Sequence, residues 1–210
     1  MSEVNPFASR PTDPARVESP LQGLPPRPLT PDHADSGVTL HECALLGHLI
    51  VRGDARDTRF VSGIEQTLNL PLPGPLALSL DGQRSLQWLG PDEWLLIVPG
   101  GEEANVESNL RRALSGLHIA VVNVSGGQTL LELSGPCAHQ VLMKSTSYDV
   151  HPRNFPVGKA VGSVFAKSQC VIRHIAEHRW QLVVRRSFAG YFLRWLLDAG
   201  AEYGVRRLVH

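Results

Sequence analysis

The sequence predicts an α+β fold: a duplicated split β-α-β unit of the ferredoxin-like kind, with mainly antiparallel sheets. Three observations lead there. Short strand patterns alternate with two-turn or longer helical patterns; the order of these patterns repeats after about 85 residues; and a Pro-rich segment precedes the first apolar run. The 210-residue chain is long enough to bury a core of this size.

Half of the 16 prolines lie between Pro6 and Pro31. Such a segment forms neither regular helix nor sheet, because proline removes a donor and fixes φ. Residues 1–37 therefore read as an extended arm, with Phe7, Leu21, Leu24 and Leu29 as apolar anchors. Two readings stand for it: a leader without fixed structure, or an arm laid on a partner, where proline lowers the entropy lost on ordering.

The folded domain covers 38–210, in two repeats of about 38–125 and 126–210. Val38 to Val51 reads as a strand or strand pair. Asp57 caps a helix that sets Phe60, Val61, Ile64 and Leu68 on one face, and Pro71, Pro73 and Pro75 end it. Leu76 to Leu80 is a short strand followed by the Asp81-Gly82 turn. Ser85–Leu89 and Glu93–Val98 form a hairpin with a tryptophan on each arm, turning at Gly90-Pro91-Asp92. A second helix stacks Val106, Leu110, Ala113 and Leu114, and His118 to Val124 closes the unit as a strand.

The pattern then restarts. Gln128 to Leu133 is a strand, and Ser134-Gly135-Pro136 opens a helix carrying Val141 and Leu142. Val161–Phe165, Cys170–Ile175 and Trp180–Val184 are strands. A helix follows with Phe188, Phe192, Trp195, Leu196 and Ala199 stacked, and Val205–Val209 is the last strand. Neither repeat buries much alone, so the two are expected to share sheets and one continuous core.

Composition narrows function. Lys+Arg and Asp+Glu stand at 20 each. That balance lacks the long-range attraction that nucleic acid or anionic lipid binding draws on. Three cysteines without tight spacing, and no apolar leader after Met1, point to reduced thiols and a cytoplasmic location. No apolar run is long enough to span a membrane.

Catalytic equipment is sparse. Cys170 and His174 fall on one strand face with His178 near the next turn, and Cys137 and His139 lie elsewhere; this spacing is poor for zinc, which favours short paired motifs. Ser125-Gly126-Gly127-Gln128 opens a strand where a phosphate loop would open a helix. Asp92 and Glu93 sit at a hairpin tip, and Asp149 follows a helix it can cap. From Val157 through Ala176 there is no Asp or Glu, so a site in the mouth of the second repeat has no general base. No catalytic, cofactor-binding or metal-binding residue is assigned.

A family signal accompanies these residues. Asn123-Val124-Ser125, Leu133-Ser134-Gly135-Pro136-Cys137-Ala138, Thr146-Ser147-Tyr148-Asp149 and Phe155-Pro156-Val157-Gly158 resemble the folate-binding domain of aminomethyltransferases, the glycine-cleavage T-protein type. With Ser19-Pro20-Leu21 and Leu89-Gly90-Pro91-Asp92-Glu93-Trp94-Leu95-Leu96, the chain resembles the gamma subunit family of heterotetrameric sarcosine oxidases. The resemblance implies a non-catalytic assembly subunit beside alpha, beta and delta subunits, in an oxidoreductase complex that demethylates sarcosine to glycine. Hydrogen peroxide is released, and the one-carbon unit leaves as formaldehyde or passes to tetrahydrofolate. FAD, FMN, NAD, tetrahydrofolate and zinc are then expected on the other subunits, with none bound by this chain. The alternatives are an independent folate-binding one-carbon protein and a binding module unrelated to oxidases. Asn123 replaces the family's first Asp, and the folate-binding Asp expected after Gly158 falls near Lys167-Ser168-Gln169. An amide or hydroxyl cannot supply the charge-assisted pair that a pterin draws from a carboxylate.

Overall fold

A computed structural model of the chain describes residues 17–24 and 36–208. Strands β1 (Val38–Cys43) and β2 (Gly47–Arg52) are separated by a turn at Leu45, whose φ is 60°. Helix α1 (Thr58–Leu68) follows, capped as expected: the Asp57 side chain accepts from Arg59 N at 2.9 Å. The helix ends on Asn69 in the left-handed region, where a short polar side chain is tolerated. Then come β3 (Leu78–Asp81), β4 (Arg84–Gly90) and β5 (Glu93–Val98). Helix α2 (Glu103–Ala113) has Glu103 in its first turn and Arg111 and Arg112 in its last, matching its dipole. Strand β6 (Ala120–Asn123) ends the first unit.

The second unit runs β7 (Gln128–Ser134), α3 (Ala138–Met143), β8 (Ala160–Phe165), β9 (Ser168–Ala176), β10 (Arg179–Arg185), α4 (Ala189–Ala199) and β11 (Val205–Leu208). Its order β-α-β-β-β-α-β is that of β2 to β6. Phe188 lies in a short 3₁₀ turn before α4 and is half-exposed rather than stacked within the helix.

Two sheets result, β3-β4-β5-β2-β6 and β11-β1-β7-β10-β9-β8. All described pairings are antiparallel except β1 with β11. In the first sheet β6 pairs directly with β2. In the second, β1 is inserted between β7 and β11. Thus β1, grouped by sequence with the first repeat, hydrogen-bonds in the sheet of the second. Its entry needs a close backbone approach: a Cβ on Gly135, which has φ 118°, would sit 2.4 Å from the carbonyl oxygen of Gly37.

The sheets lie face to face, and the two repeats share the six-stranded one through β1 as expected, whereas the expected single continuous core is corrected to three clusters. Residue alternation divides the interior into three layers. Helices α1 and α2 cover the outer face of the five-stranded sheet, burying Phe60, Ile64, Leu86, Trp94, Leu96 and Leu110. Helices α3 and α4 cover the outer face of the six-stranded sheet, burying Leu131, Val141, Phe165, Ile172, Trp180 and Phe192. Between the sheets lie Leu95, Ile97, Leu130 and Val183, with Cys43, Ile50, Leu89 and Val171 around them. Each fully buried large apolar side chain contributes about 1.5–3 kcal/mol. The two outer layers therefore carry most of the stability, and the thin middle layer is where polar groups enter. No helix among the described residues is long and apolar enough to cross a membrane.

Candidate functional site

The middle layer is unusual for its polarity. Across the inner face of the six-stranded sheet, His41, Glu132, Gln181 and Arg173 stand in one row of cross-strand neighbours. The facing sheet presents Ser85, Ile97 and His48 in a row. A cleft of about 740 Å³ opens between them, lined by Arg173, Gln181, Glu132, His41 and Ser85.

Most charges there are paired. Glu132 accepts from Arg179 Nη2 at 2.8 Å and from Gln181 Nε2 at 3.1 Å. Arg84, at the rim, donates to Glu102 at 2.7 Å. Arg173 is different: it is 1% exposed, and its Nε and Nη1 have no hydrogen-bond partner among the described residues. Burial lowers its pKa to about 10, which leaves it a cation at neutral pH. Burial also pushes the Cys43 thiol up to about 11, with Glu132 adding to the effect. His48, buried in the same layer, is lowered to about 4, first by desolvation and then by Arg173. Its Nδ1 lies 3.1 Å from the Leu46 carbonyl oxygen.

A second cleft of about 570 Å³ opens at another part of the layer, lined by Leu89, Gln128, Ser163, Gln169, Cys170 and Arg185 among others. Among the described residues that line it there is no carboxylate, and Asn123 is not one of them. The Asn123 side chain instead accepts from Ser125 N at 2.9 Å in a local turn. A pterin presents adjacent N–H donors that call for a carboxylate. In the first cleft Glu132 accepts from Arg179 and Gln181, and Glu42 accepts from Ser19 and Thr129.

The other residues singled out by sequence are dispersed over the second repeat and the hairpin turn. Cys170 is buried and its thiol pushed up to about 12 by desolvation. His174 shares its strand face, as the alternation requires, but its Nδ1 is 2.7 Å from the Phe155 carbonyl oxygen and its ring stacks on Trp180. His178 sits in the β9–β10 turn beside Glu177. Cys137 precedes α3, and His139 is lowered by partial burial and by the nearby His151 and His178. Among the described residues, no three His, Cys, Asp or Glu side chains are grouped to hold a metal ion. Asp92 pairs with Arg52 at 2.6 Å, and Asp149 accepts from His151 N at 3.0 Å. Arg173 was missed because a lone arginine in a strand reads as solvated. A signal was present, however: Val171 and Ile175 flank it on one face while Cys170, Ile172 and His174 occupy the other, which marks a strand covered on both sides.

The N-terminal segment is the second feature that bears on function. Ser19–Leu24 folds back on the chain's own domain. Leu21 is buried in the layer beneath α3 and α4, and Leu24 packs against it. Ser19 Oγ donates to Glu42, whose other oxygen accepts from Thr129 at 2.7 Å. Two of the four expected anchors therefore pack on this chain's own domain, Leu21 buried and Leu24 partly so; Phe7 and Leu29 lie outside the described residues.

Comparison with known proteins places this architecture. Residues 52–202 match the sarcosine oxidase, gamma subunit family. The chain is 36% identical over 169 residues to a sarcosine oxidase subunit gamma of Corynebacterium sp. (strain P-1), covering 79% of this chain and 81% of that protein. It is 37% identical over 130 residues to the corresponding subunit of Arthrobacter sp., covering 62% and 63% respectively. Among solved structures, a chain of heterotetrameric sarcosine oxidase from Corynebacterium sp. U-96 superposes with a TM-score of 0.75 at 28% identity, over 84% of this chain and 90% of that one. The glycine cleavage system aminomethyltransferase T of Bartonella henselae shares the fold, with a TM-score of 0.60 at 15% identity over 82% of this chain and 48% of that one. The paired sheets are thus a fold shared with that aminomethyltransferase, and by sequence and structure alike the chain belongs to the sarcosine oxidase gamma subunit family.

Proposed function

We propose that this protein is the gamma subunit of a heterotetrameric sarcosine oxidase and serves it as an assembly subunit without chemistry of its own. The observation that carries the reading is the match to a chain of such a complex over most of both lengths, at a TM-score of 0.75. The polar inventory supports the second half of the reading. The carboxylate-free cleft beneath β8 and β9 suits neither a pterin nor general-base catalysis. In this reading the partners are alpha, beta and delta subunits in the cytoplasm, flavins, NAD, tetrahydrofolate and zinc reside on them, and the two repeats descend from one duplicated unit with β1 added.

The test is co-expression of the tagged full chain with the other subunits of its host. Co-purification of an assembly that oxidises sarcosine is expected, with yield or activity falling when this chain is omitted. A fully active complex that forms equally well without it would overturn the reading. So would micromolar binding of tetrahydrofolate by the chain alone.

A further inference from the structure

Arg173 carries a charge that no described residue answers with an ion pair. Its Nε and Nη1 are buried and unpartnered, and its cross-strand neighbour Gln181 gives its amide N–H to Glu132. That bond fixes the orientation of the amide and leaves Gln181 Oε1 buried without a donor. Across the layer, His48 Nε2 and both amide atoms of Gln87 are also unpartnered. Natural interiors pair nearly all such groups, and a buried lone cation is among the costliest exceptions.

We propose that the cleft between the two sheets binds a small carboxylate that also bears an O–H or N–H donor. Two parallel N–H donors of the Arg173 guanidinium take the carboxylate, and Gln181 Oε1 accepts from the ligand's own donor. The charge balance selects this class. Glu132 is neutralised by Arg179 and Arg84 by Glu102, while Glu42 lies close to Arg207 and accepts from Ser19 and Thr129, so the charge of Arg173 is left for one negative charge. A phosphate dianion would bring a second charge toward Glu132, which lines the same cleft. The volume of about 740 Å³ admits a ligand of several heavy atoms from the solvent side. This site does not depend on the chain's place in any complex.

The experiment uses the ¹⁵N-labelled full chain with glycolate, acetate and inorganic phosphate, against sodium chloride at matched ionic strength. Glycolate is expected to shift the Arg173 Nε–H resonance and saturate in the millimolar range. Acetate, lacking the hydroxyl, should bind about tenfold more weakly, and chloride should leave the resonance in place. Arg173→Met, an apolar replacement of similar length, should fold and lose the glycolate response. Gln181→Leu should abolish the preference for glycolate over acetate while acetate still binds. No shift with glycolate beyond that of chloride would overturn the proposal, as would a glycolate response that survives Arg173→Met. Tighter binding of phosphate than of glycolate would overturn the assigned class. Should Arg173→Met fail to fold, the wild-type resonance and Gln181→Leu decide the matter.

Discussion

Arg207 Nη2 donates to the carbonyl oxygen of Leu21 across 3.2 Å, tying the last strand to a segment 186 positions earlier. Its Nη1 donates to the Leu24 carbonyl oxygen at 2.9 Å. The N-terminal segment is therefore part of the fold, with the Leu21 side chain 3% exposed. Leu21→Ala is expected to cost about 2–4 kcal/mol, the usual range for emptying a buried leucine site. Arg207→Ala should cost about 1–2 kcal/mol by leaving two carbonyl groups without these donors. Urea unfolding reads both, and the double variant should lose less than the sum because both changes release the same segment.

His48 gives the stability a defined pH dependence. Its pKa is about 4 in the folded chain and near 6.5 when unfolded. Between these values the unfolded state binds the proton and the folded state does not, so stability rises with pH. The contribution is present above about pH 6.5 and is lost as pH falls toward 4. Going from about pH 7 to about pH 5 should remove about 2 kcal/mol through this group. His48→Asn should flatten the change in urea midpoint over that interval, since asparagine does not titrate. A variant with the full wild-type slope would show that His48 is not the source.

Cys43 and Cys170 are protected thiols, raised to about 11 and about 12 by burial. The thiolate is the reactive form, and at neutral pH little of it exists at either position. Brief treatment of the native protein with iodoacetamide should leave both unlabelled by mass spectrometry. Labelling after denaturation should reach both.

Trp94 Nε1 donates to the Pro73 carbonyl oxygen at 2.9 Å, and its ring packs 5.6 Å from that of Phe60. Trp94→Phe keeps an aromatic ring and removes the donor. A loss of about 1–3 kcal/mol in thermal or urea unfolding is expected, because a buried carbonyl then goes unpaired. A change within the noise would mean that the ring alone anchors the loop before β3.

Much of this molecule was legible before its structure. Asp57 and the i, i+3 and i+4 spacing after it marked the start and the buried face of α1. The tryptophan hairpin was readable because Pro91 and Asp92 set a turn between two alternating runs, and Gly90 pairs with Glu93 around it. The carboxylate-free stretch after Val157 also became a real surface, the cleft beside Gln169 and Arg185. In each case the information was local, carried by dihedral preference, capping or side-chain type.

The site was less legible. Arg173 and Gln181 are opposite each other only because β9 pairs with β10 past an irregularity at Arg179 and Trp180. Their burial depends on the facing strands β4 and β5, more than seventy residues earlier in sequence. An exposed strand face and a strand face covered by another sheet can carry the same residues, so position along the chain does not separate them.

The sequence alone determined the elements, their order, the repetition of that order and the apolar face of each strand, because these follow from short-range sterics and periodicity. The tertiary structure alone decided that β1 would leave its neighbour β2 and enter the other sheet, that Leu21 would fill its own chain's interior, and that Arg173 would face Ser85 across a cleft. Strand pairing and sheet stacking are choices among many partners of similar local merit. They are settled by which arrangement buries the most apolar surface while satisfying the backbone, a property of the whole assembly of strands.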